Sequence, residues 1–335
     1  MKRTQTPPSE PSQIAKALQL FQHGDLPWQG SLMLVSILVI LLMFSIGWML
    51  WQTSVDARTT FGFSFLAPTA DASWDPVNDK FDAWPFIYGT LLTSIAAIVM
   101  AVPISLGIAI FLAELCPAWL RTPLNWLVEL LAAIPSVVYG LWGLFVFLPN
   151  VVAPLGAGLF TTLGQVPLLG QLFAGPVPAG GASRLGAALI LTVMILPTIA
   201  AVSRDVFLAI PQSQREASLA LGSTQWETIW QVLLPYGISG ILGAVILGLG
   251  RALGETMAVT MVIGNSIEGS TSLLRPGYTM ASIIANEFAE AVTKLHSQAL
   301  IEVGLILFVM TLLLNMLARF LVWRVASKTP QEARV

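Results

Sequence analysis

The sequence predicts an all-α, polytopic membrane protein with about six transmembrane helices, and both composition and the lengths of its apolar runs support that prediction. Of the 335 residues, 56% are hydrophobic and 10% are charged, whereas soluble domains average about 45–50% and about 25%. Crossing a hydrocarbon core takes about 20 apolar residues in a helix. Six stretches are long enough, at about 31–51, 86–114, 124–148, 185–203, 236–261 and 299–323.

The N-terminal segment, residues 1–30, lacks the features of a cleavable signal peptide. Nearly thirty mostly polar residues precede the first apolar run, and no small-residue cleavage site follows that run. Trp48 and Trp51, near the far end of the run, are typical of anchors at a membrane interface. We therefore predict a polar N-terminal segment at 1–30, followed by a first transmembrane helix at 31–51.

The orientation of the chain is predicted from its 16 lysines and arginines. With the N-terminus placed inside, ten of them lie on or near the cytoplasmic side, five lie outside, and Arg251 lies within a span. Because short cytoplasmic loops carry an excess of Lys and Arg, we predict that both termini are cytoplasmic, including the tail 324–335. The outer loop 52–85 then contains five aspartates, four of which crowd its second half at Asp71, Asp75, Asp79 and Asp82.

Prolines interrupt three of the predicted spans, at Pro103, Pro135 and Pro197. Neighbouring helices can satisfy the carbonyl that a membrane proline frees, so these residues indicate packing and kinks. Glu129 lies about six residues into the third predicted span. Three interpretations are open: a role in gating, a role in packing, or a side chain that reaches the cytoplasmic interface. Tyr139 is interpreted as an interhelical hydrogen-bonding residue. We group Glu129, Pro135 and Tyr139 as candidate gating or packing residues.

Two further outer loops have different compositions. The loop at about 149–184 is rich in Gly, Pro and Leu, and we expect it to pack on the outer rim of the protein or at the lipid headgroups. The loop at about 262–297 contains "TMASIIANEFAEAV", in which apolar residues recur every four positions. That spacing predicts a short amphipathic helix over the outer opening. The residues concerned are Met280, Ile284, Phe288 and Val292.

The inner loop 204–235, between the fourth and fifth spans, contains two helix-start signals. Ser213 with Glu216, and Thr224 with Glu227, each form the pattern of a Ser or Thr followed three residues later by Glu. In that pattern, called a capping box, each side chain accepts a hydrogen bond from a backbone N–H at the start of a helix. We therefore predict that one helix begins at each box.

Gly222 lies between the two boxes, where the first of these helices must stop. Glycine adopts the left-handed conformation of a helix C-terminus without strain. Residues 211–235 are therefore predicted to form two short helices with a sharp turn between them, projecting from the membrane into the cytoplasm. An ordinary structured loop is the alternative.

The fifth span contains a charged pair within the stretch "GLGRALGETMAVTMVIGN", positions 248 to 265. Arg251 and Glu255 are four residues apart, or about one helical turn. Each charge near the bilayer centre costs about 2.5–3.5 kcal/mol on insertion scales, and replacing a buried ion pair by apolar residues is often neutral or better. Gly250 and Gly254 form a GxxxG motif, which indicates close helix packing.

Two interpretations of the charged pair are open. As a substrate pathway, Arg251 would offer a planar set of donors to an anion, and Glu255 would compete with that anion and so keep binding weak. As a structural feature, the two residues would form a static salt bridge. The sequence does not distinguish direct contact between Arg251 and the anion from an effect of its field along the path.

The sequence lacks the residue patterns that several kinds of chemistry require. A P-loop requires a Gly-Lys pair before Ser or Thr, and the chain contains no Gly-Lys dipeptide, so we predict that it does not hydrolyse ATP and is not an enzyme. His23 and His296 stand without metal-site spacing, and Cys116 is the one cysteine. No catalytic residue, metal site, intrachain disulfide or nucleic-acid partner is predicted.

The inner loop resembles the EAA motif of ABC-importer permeases, which reads EAA, three residues, Gly, nine residues, I-x-L-P. Ser218 replaces the second alanine of that motif, and Val232 replaces the isoleucine. In the family this loop forms the coupling helix that docks into a separate ATPase subunit. The resemblance therefore assigns ATPase coupling to the residues in register, Glu216, Ala217, Gly222, Leu234 and Pro235.

Other stretches are similar to the PstC-type permease family of phosphate importers. They are "FIYGTLLTS" (86–94), "ELLAAIPSVVYGLWG" (129–143), "GRALGETMAVTMVIGN" (250–265) and "ASIIANEF" (281–288). This resemblance implies the type I, MetI-like permease architecture, with a core of five spans at 86–323. It implies ATP-driven transport of inorganic phosphate across the bacterial inner membrane.

The resemblance also implies partners: a paralogous PstA-type permease, two ATPase subunits that bind ATP and Mg²⁺, a periplasmic phosphate-binding protein, and a PhoU-type regulator. Membrane lipid surrounds the chain, which itself binds no cofactor. Two alternatives are a permease of the same fold for another oxyanion, such as sulfate or molybdate, and an ion-coupled secondary transporter using Glu255. The second alternative predicts inverted internal repeats, and we find no convincing repeat in the sequence.

Overall fold

The computed structural model describes residues 25–67, 74–167, 170–267 and 270–326. The predictions for the remaining residues, including most of the N-terminal segment, Asp71 and the end of the C-terminal tail, lie outside the described residues. Apart from isolated bridges, the described ranges contain no β-strand. The helices in chain order are α1 (Asp25–Thr53), α2 (Val55–Phe61), α3 (Trp84–Ile110), α4 (Ala118–Ala133), α5 (Ser136–Trp142), α6 (Ala153–Thr162), α7 (Arg184–Leu208), α8 (Gln212–Ala220), α9 (Gln225–Thr228), α10 (Leu234–Gly254), α11 (Met257–Val262), α12 (Met280–Glu287) and α13 (Lys294–Ala326).

Six helical runs within the described ranges are long and apolar enough to cross a membrane, so the predicted all-α fold with six spans is confirmed. Four of the runs agree closely with the predicted positions, and the third and fifth differ. The runs are Trp28–Thr53, Trp84–Leu115, Ser136–Thr162, Arg184–Leu208, Gln225–Gly254 and Lys294–Arg324.

The predicted bounds of the third span, 124–148, are wrong. Helix α4 ends at Ala133, and Ile134 and Pro135 are extended, with ψ angles of 130° and 139°. A residue before proline is pushed out of the helical region, so the chain breaks here instead of kinking. The apolar run resumes at Ser136 and continues to Thr162, and the loop predicted at 149–184 therefore begins later.

The predicted bounds of the fifth span, 236–261, are also wrong. Its helical run begins at Gln225, inside the predicted inner loop, and ends at Gly254. Glu255 is extended, with φ −72° and ψ 123°, and the separate helix α11 follows it. The second helix of the inner loop, α9, and the fifth span thus belong to one continuous helical run, which we call the rod.

Wide π-helical turns join several of these helices, and two of the turns lie at prolines. Pro149 is inside the segment Gly143–Val152, and Pro235 is the second residue after Ile229–Leu233. Proline removes an N–H donor and clashes with the carbonyl of the preceding turn, and a wider turn relieves that conflict. A third π segment, Phe111–Leu115, extends α3.

The chain divides into a unit ending at Gln52 and a larger unit beginning at Thr53. In the larger unit α7 is the central helix, because 67% of its apolar window is buried against at most 28% for the other spans. Its buried face packs against α3 and α10. Leu191, Ile195 and Ile199 of α7 lie in this core.

An aromatic cluster joins segments on the predicted outer side. Trp74 packs edge-to-face on Phe81 and Phe86, with ring centroids 4.8 and 5.0 Å away. The Trp74 indole Nε1 donates to Glu287 Oε2 at 2.6 Å, and His296 Nε2 lies 3.1 Å from the same oxygen. The loop before α3 is therefore held against α12 and α13.

The short helix predicted in the loop 262–297 is present as α12, and Thr279 caps its first turn. The predicted apolar stripe does not extend as far as expected. Met280 is buried, whereas Phe288 lies just past the helix and Val292 is 95% exposed. Periodicity alone did not locate the end of the helix.

Candidate functional site

Arg251 and Glu255 lie on different elements, although they are four residues apart. Arg251 is in the last turn of α10, and Glu255 follows the end of that helix. The Glu255 Oε1 atom accepts a hydrogen bond from the backbone N–H of Ala258 at 3.1 Å, in the first turn of α11. The interpretation of the pair as neighbours on one helical face is therefore wrong, because the helix ends between them.

The described residues contain no Arg251–Glu255 ion pair within 4.0 Å. The Arg251 side chain is half-buried and lies close enough to Tyr139 for the two groups to interact electrostatically. A cation in the last turn of a helix is stabilised by the helix dipole, and so is a carboxylate at a helix start. Each charge thus has its own local stabilisation.

Helix α10 has two glycine-rich faces with different surroundings. A side-chain Cβ at Gly240 or Gly248 would collide with Val206 or Ile199 of α7, so these glycines permit close packing on the central helix. The other face contains Gly243, Gly250 and Gly254, and a Cβ built at any of these three meets no atom within 4 Å. The close helix contact predicted from the GxxxG motif is therefore not made by the described part of this chain.

Pro135 and Tyr139 belong to a second interruption, between α4 and α5. Because the chain breaks at Pro135, the last carbonyl groups of α4 lose their helical partners. The Tyr139 hydroxyl donates to the carbonyl oxygen of Leu131 at 2.8 Å, across the break. Tyr139 is 6% exposed, and it is a hydrogen-bonding residue as predicted, although its partner lies on its own interrupted helix.

The helices that follow the two breaks pack against each other. Helix α5 contacts α11 at Gly140, where a Cβ would approach Met261 Sδ to 2.7 Å and Ala258 Cα to 3.1 Å. The break at Pro135 and the break at Glu255 are therefore joined through one tight helix contact.

We expect Gly140→Ala to lower the thermal stability of the purified protein, because its methyl group would be forced against the backbone of α11. Overpacking of this kind costs about 1–3 kcal/mol. Gly107→Ala in α3 is the matched control, since a Cβ there meets nothing within 4 Å. A thermal midpoint of Gly140→Ala equal to that of the control would contradict the tight contact.

Glu129 does not lie inside a membrane-crossing run. It is on α4, ahead of the run Ser136–Thr162, and its side chain is 58% exposed. Its Oε1 atom is 3.6 Å from Nη2 of Arg204, which also contacts Asp205 at 2.8 Å. Glu129 therefore pairs a mostly exposed carboxylate with a buried arginine of α7. Because the third run begins at Ser136, the placement of Glu129 within the third span is wrong.

The inner loop has the predicted helix–turn–helix form. Its first limb is α8, and Gly222 then adopts a left-handed φ of 89°. Thr224 and Glu227 form their capping box: the Thr224 N–H donates to Glu227 Oε2 at 2.8 Å, and the Glu227 N–H donates to Thr224 Oγ1 at 3.2 Å.

The other predicted capping box, Ser213 with Glu216, is wrong. Helix α8 begins at Gln212 directly after Pro211, whose fixed φ of −55° starts the helix without a side-chain cap. Glu216 and Ala217 are exposed on α8. Leu234 and Pro235 do not end the second limb, because they begin α10, which continues from it.

The inner loop also exposes apolar side chains that the sequence analysis did not single out. Trp226 and Trp230 are 59% and 52% exposed and stack edge-to-face with centroids 5.7 Å apart, and Leu221, beside the turn, is 88% exposed. Exposed apolar clusters mark interaction sites. The signal in the sequence was the spacing of two tryptophans by four residues on a limb predicted to be cytoplasmic.

The two candidate sites lie on one rod. Pro235 and Arg251 are separated by 16 positions on the continuous run Gln225–Gly254, which corresponds to about 24 Å along a helix. No group of three or more His, Cys, Asp or Glu side chains suited to a metal occurs in the described ranges.

Comparisons with known proteins agree on one class. Residues 105–328 match the family described as binding-protein-dependent transport system inner membrane component. The chain is 47% identical over 312 residues to the phosphate transport system permease protein PstC of Mesorhizobium japonicum, covering 92% of this chain and 93% of that protein. It is also 47% identical over 293 residues to PstC of Pasteurella multocida, covering 88% and 90%.

Solved structures share the fold at low sequence identity. The crystal structure of a bacterial alginate ABC transporter with its alginate pentasaccharide-bound periplasmic protein matches with a TM-score of 0.59 at 16% identity, covering 92% of this chain and 98% of that one. An inward-facing MetNI methionine ABC transporter matches with a TM-score of 0.53 at 18% identity, covering 76% and 99%. The MetI-like architecture implied by the motif is thus confirmed.

Proposed function

We propose that this chain, which belongs to the PstC phosphate transport permeases, is the multi-pass membrane subunit through which an ATP-driven importer carries phosphate across the bacterial inner membrane. The wider family is that of the binding-protein-dependent transport system inner membrane components. The observation that carries this proposal is 47% identity to such a permease over 92% of the chain. Transport of another oxyanion and ion-coupled transport are not favoured by that identity.

The proposed ATPase partner docks on the coupling loop, residues 211–235. The left-handed turn at Gly222 fixes the angle between the two limbs, and the exposed Leu221, Trp226 and Trp230 provide an apolar contact surface. Glu216 and Ala217 lie on the exposed surface of α8. ATP and Mg²⁺ would be bound by that partner, and this chain would supply no nucleotide ligand.

The proposed phosphate pathway includes Arg251 and Glu255. Arg251 is half-buried and has no ion pair within 4.0 Å in the described ranges, so its guanidinium donors are available to an anion. An arginine offers several donors in one plane to phosphate oxygens. Glu255, held by its bond to α11, would place a negative charge nearby that limits how tightly the anion is held.

The open glycine face of α10 supports the proposal that a second permease subunit binds there. Within the described residues, Gly243, Gly250 and Gly254 have no neighbour within 4 Å of their Cβ positions, and glycines let helix backbones approach closely. We propose that a PstA-type permease covers this face and completes the pathway. The full assembly would add two ATPase subunits, a periplasmic phosphate-binding protein and a PhoU-type regulator.

Copurification and uptake test the proposed function together. We expect an affinity-tagged form of this chain to copurify with an ATPase subunit and to support phosphate uptake in proteoliposomes that contain the complete assembly. Excess sulfate or molybdate should not compete with that uptake. Competition by either anion would favour the alternative oxyanion, and uptake abolished by an uncoupler but unaffected by ATP depletion would favour a secondary transporter.

The proposed orientation, with both termini cytoplasmic, is tested by labelling single cysteines. Val77 is 91% exposed in the proposed outer loop, Ser213 is exposed in the coupling loop, and the native Cys116 is buried and gives little background. We expect a membrane-impermeant maleimide to label Val77→Cys in intact spheroplasts but to label Ser213→Cys only after lysis. The reverse pattern would invert the topology and remove the ATPase contact.

A further inference from the structure

Arg215, in the first turns of α8, binds three residues at the ends of two other segments with one guanidinium. Its Nε atom donates to both carboxylate oxygens of Glu114 at 3.2 Å, and its Nη2 atom donates to Glu114 Oε1 at 2.7 Å. The Nη2 atom also donates to the carbonyl oxygen of Phe207, and Nη1 donates to that of Ile210, both at 2.6 Å. The two charged side chains are only 13% and 15% exposed.

The partners of Arg215 lie at the ends of two membrane-crossing runs. Glu114 is in the π segment Phe111–Leu115, which ends the second run, and Phe207 is in the last turn of α7. Arg215 therefore joins the first limb of the coupling loop to the ends of both α3 and α7. We call the Arg215–Glu114 contact, with its two carbonyl bonds, the guanidinium tie.

The second limb of the coupling loop has a different connection to the membrane. It runs directly into α10 as one helix, and it meets the first limb through a hydrogen bond between Ser218 Oγ and Thr228 Oγ1 at 2.9 Å. Phe207 and Ile210 pack with Ile229 and Leu233 in one apolar cluster, which also includes Ala109 and Ala113 from the second membrane-crossing run. The second limb thus continues into α10 through the backbone and packs near α3 in this cluster, whereas the first limb is joined to the end of α3 by the guanidinium tie.

Two open clefts adjoin the guanidinium tie. One of about 170 Å³ is lined by Leu219 and Ile229, and one of about 590 Å³ is lined by Arg121 and Pro211, and both have Glu114 and Arg215 in their walls. With this open space beside the tie, close packing contributes little to fixing α8 itself against the end of α3. The guanidinium tie is a charge-assisted polar contact between α8 and the end of the second run.

We propose that Arg215 and Glu114 are positioning residues that make the first limb of the coupling loop move as one body with the ends of α3 and α7. This inference rests on the proposed function, in which an ATPase moves the coupling loop. A bidentate arginine–carboxylate contact fixes both distance and angle. Without it, the turn at Gly222 would let α8 rotate while α3 and α7 stayed in place, so ATP would be hydrolysed without productive movement of the bundle.

The test measures phosphate transported per ATP hydrolysed, in proteoliposomes containing the complete assembly. We expect Glu114→Gln to lower this ratio by about tenfold, the equivalent of one charge-assisted hydrogen bond, while ATP hydrolysis continues. Arg215→Lys keeps the charge but loses the planar donors, so we expect an intermediate ratio. Gly107→Ala on α3, outside the coupling loop and at a position where a Cβ meets no atom within 4 Å, is the matched control and should have the wild-type ratio.

A double variant, Glu114→Gln with Arg215→Gln, separates coupling from folding because it leaves neither charge unpaired. Normal assembly with a low ratio supports the proposal. A wild-type ratio in Glu114→Gln or in the double variant would overturn it, as would a double variant that fails to assemble, since the tie would then serve folding alone. If the proposed function itself is wrong, Gly222→Val leaves uptake normal, whereas failure of the tie alone leaves Gly222→Val impaired and the ratio of Glu114→Gln unchanged.

Discussion

Phosphate uptake is expected to fall by about tenfold to a hundredfold when Arg251 is replaced by glutamine, although the protein should still insert and assemble. Hydrogen bonds to a charged group contribute about 1.5–3 kcal/mol, and Arg251 has no ion pair within 4.0 Å in the described ranges whose loss would disturb the fold. Glu255 keeps its bond from the Ala258 N–H, so the substitution strands no partner. Uptake by the reconstituted assembly, normalised to the amount of assembled complex, gives the measurement.

Two further substitutions at this site should lower phosphate uptake for different reasons. Arg251→Lys keeps the charge but loses the planar set of donors, so we expect partial uptake at best. Glu255→Gln can still accept the bond from Ala258 and loses only the charge at the start of α11, a change of about 0.3–1 kcal/mol. We expect uptake to fall about two- to fivefold through slower release of the anion, with assembly unchanged.

The double variant Arg251→Gln, Glu255→Gln provides the decisive comparison. The two side chains lie on separate elements, so we expect their effects to combine and uptake to remain as low as in Arg251→Gln or lower. A static salt bridge predicts instead that removing both charges restores function. Uptake near the wild-type level in the double variant would end the pathway role of Arg251.

Replacing Gly222 with valine is expected to lower uptake and substrate-stimulated ATP hydrolysis together. Gly222 has a φ of 89°, and its Cβ position is open, with no atom within 4 Å. The effect therefore comes from the backbone: a β-branched residue in the left-handed region costs about 1–2 kcal/mol, and the two limbs lose their relative angle. Assembly of the membrane subunits should survive, because a Cβ at Gly222 meets no atom of the described residues within 4 Å.

Two controls separate the turn from general damage. Asparagine tolerates the left-handed region better than valine does, so Gly222→Asn should keep more uptake. Gly158→Val places the same side chain at another open glycine, one with an ordinary helical φ, and should leave the ratio of uptake to hydrolysis unchanged. Normal uptake by Gly222→Val would refute the assignment of residues 211–235 to ATPase coupling.

The sequence determined the features that depend on local chemistry. The number of membrane-crossing runs follows from the lengths of the apolar stretches. The turn at Gly222 and the capping box at Thr224 follow from residues within four positions of each other. The EAA motif identified the importer class because the motif is recognised from the spacing of its residues along the chain alone.

Only the tertiary structure decided where the helices break and which distant residues meet. A proline either kinks or ends a helix, depending on whether other groups satisfy the carbonyls that it frees. At Pro135 the Tyr139 hydroxyl donates a hydrogen bond to the carbonyl oxygen of Leu131 across the break, so the helix ends there and Glu129 lies outside the span. Arg251 and Glu255 fit one turn in the sequence and are separated by a break in the structure. The Arg215–Glu114 contact joins residues 101 positions apart, and hydrophobic periodicity holds no information about such a pair, because a charge partner is chosen by the packing of whole helices.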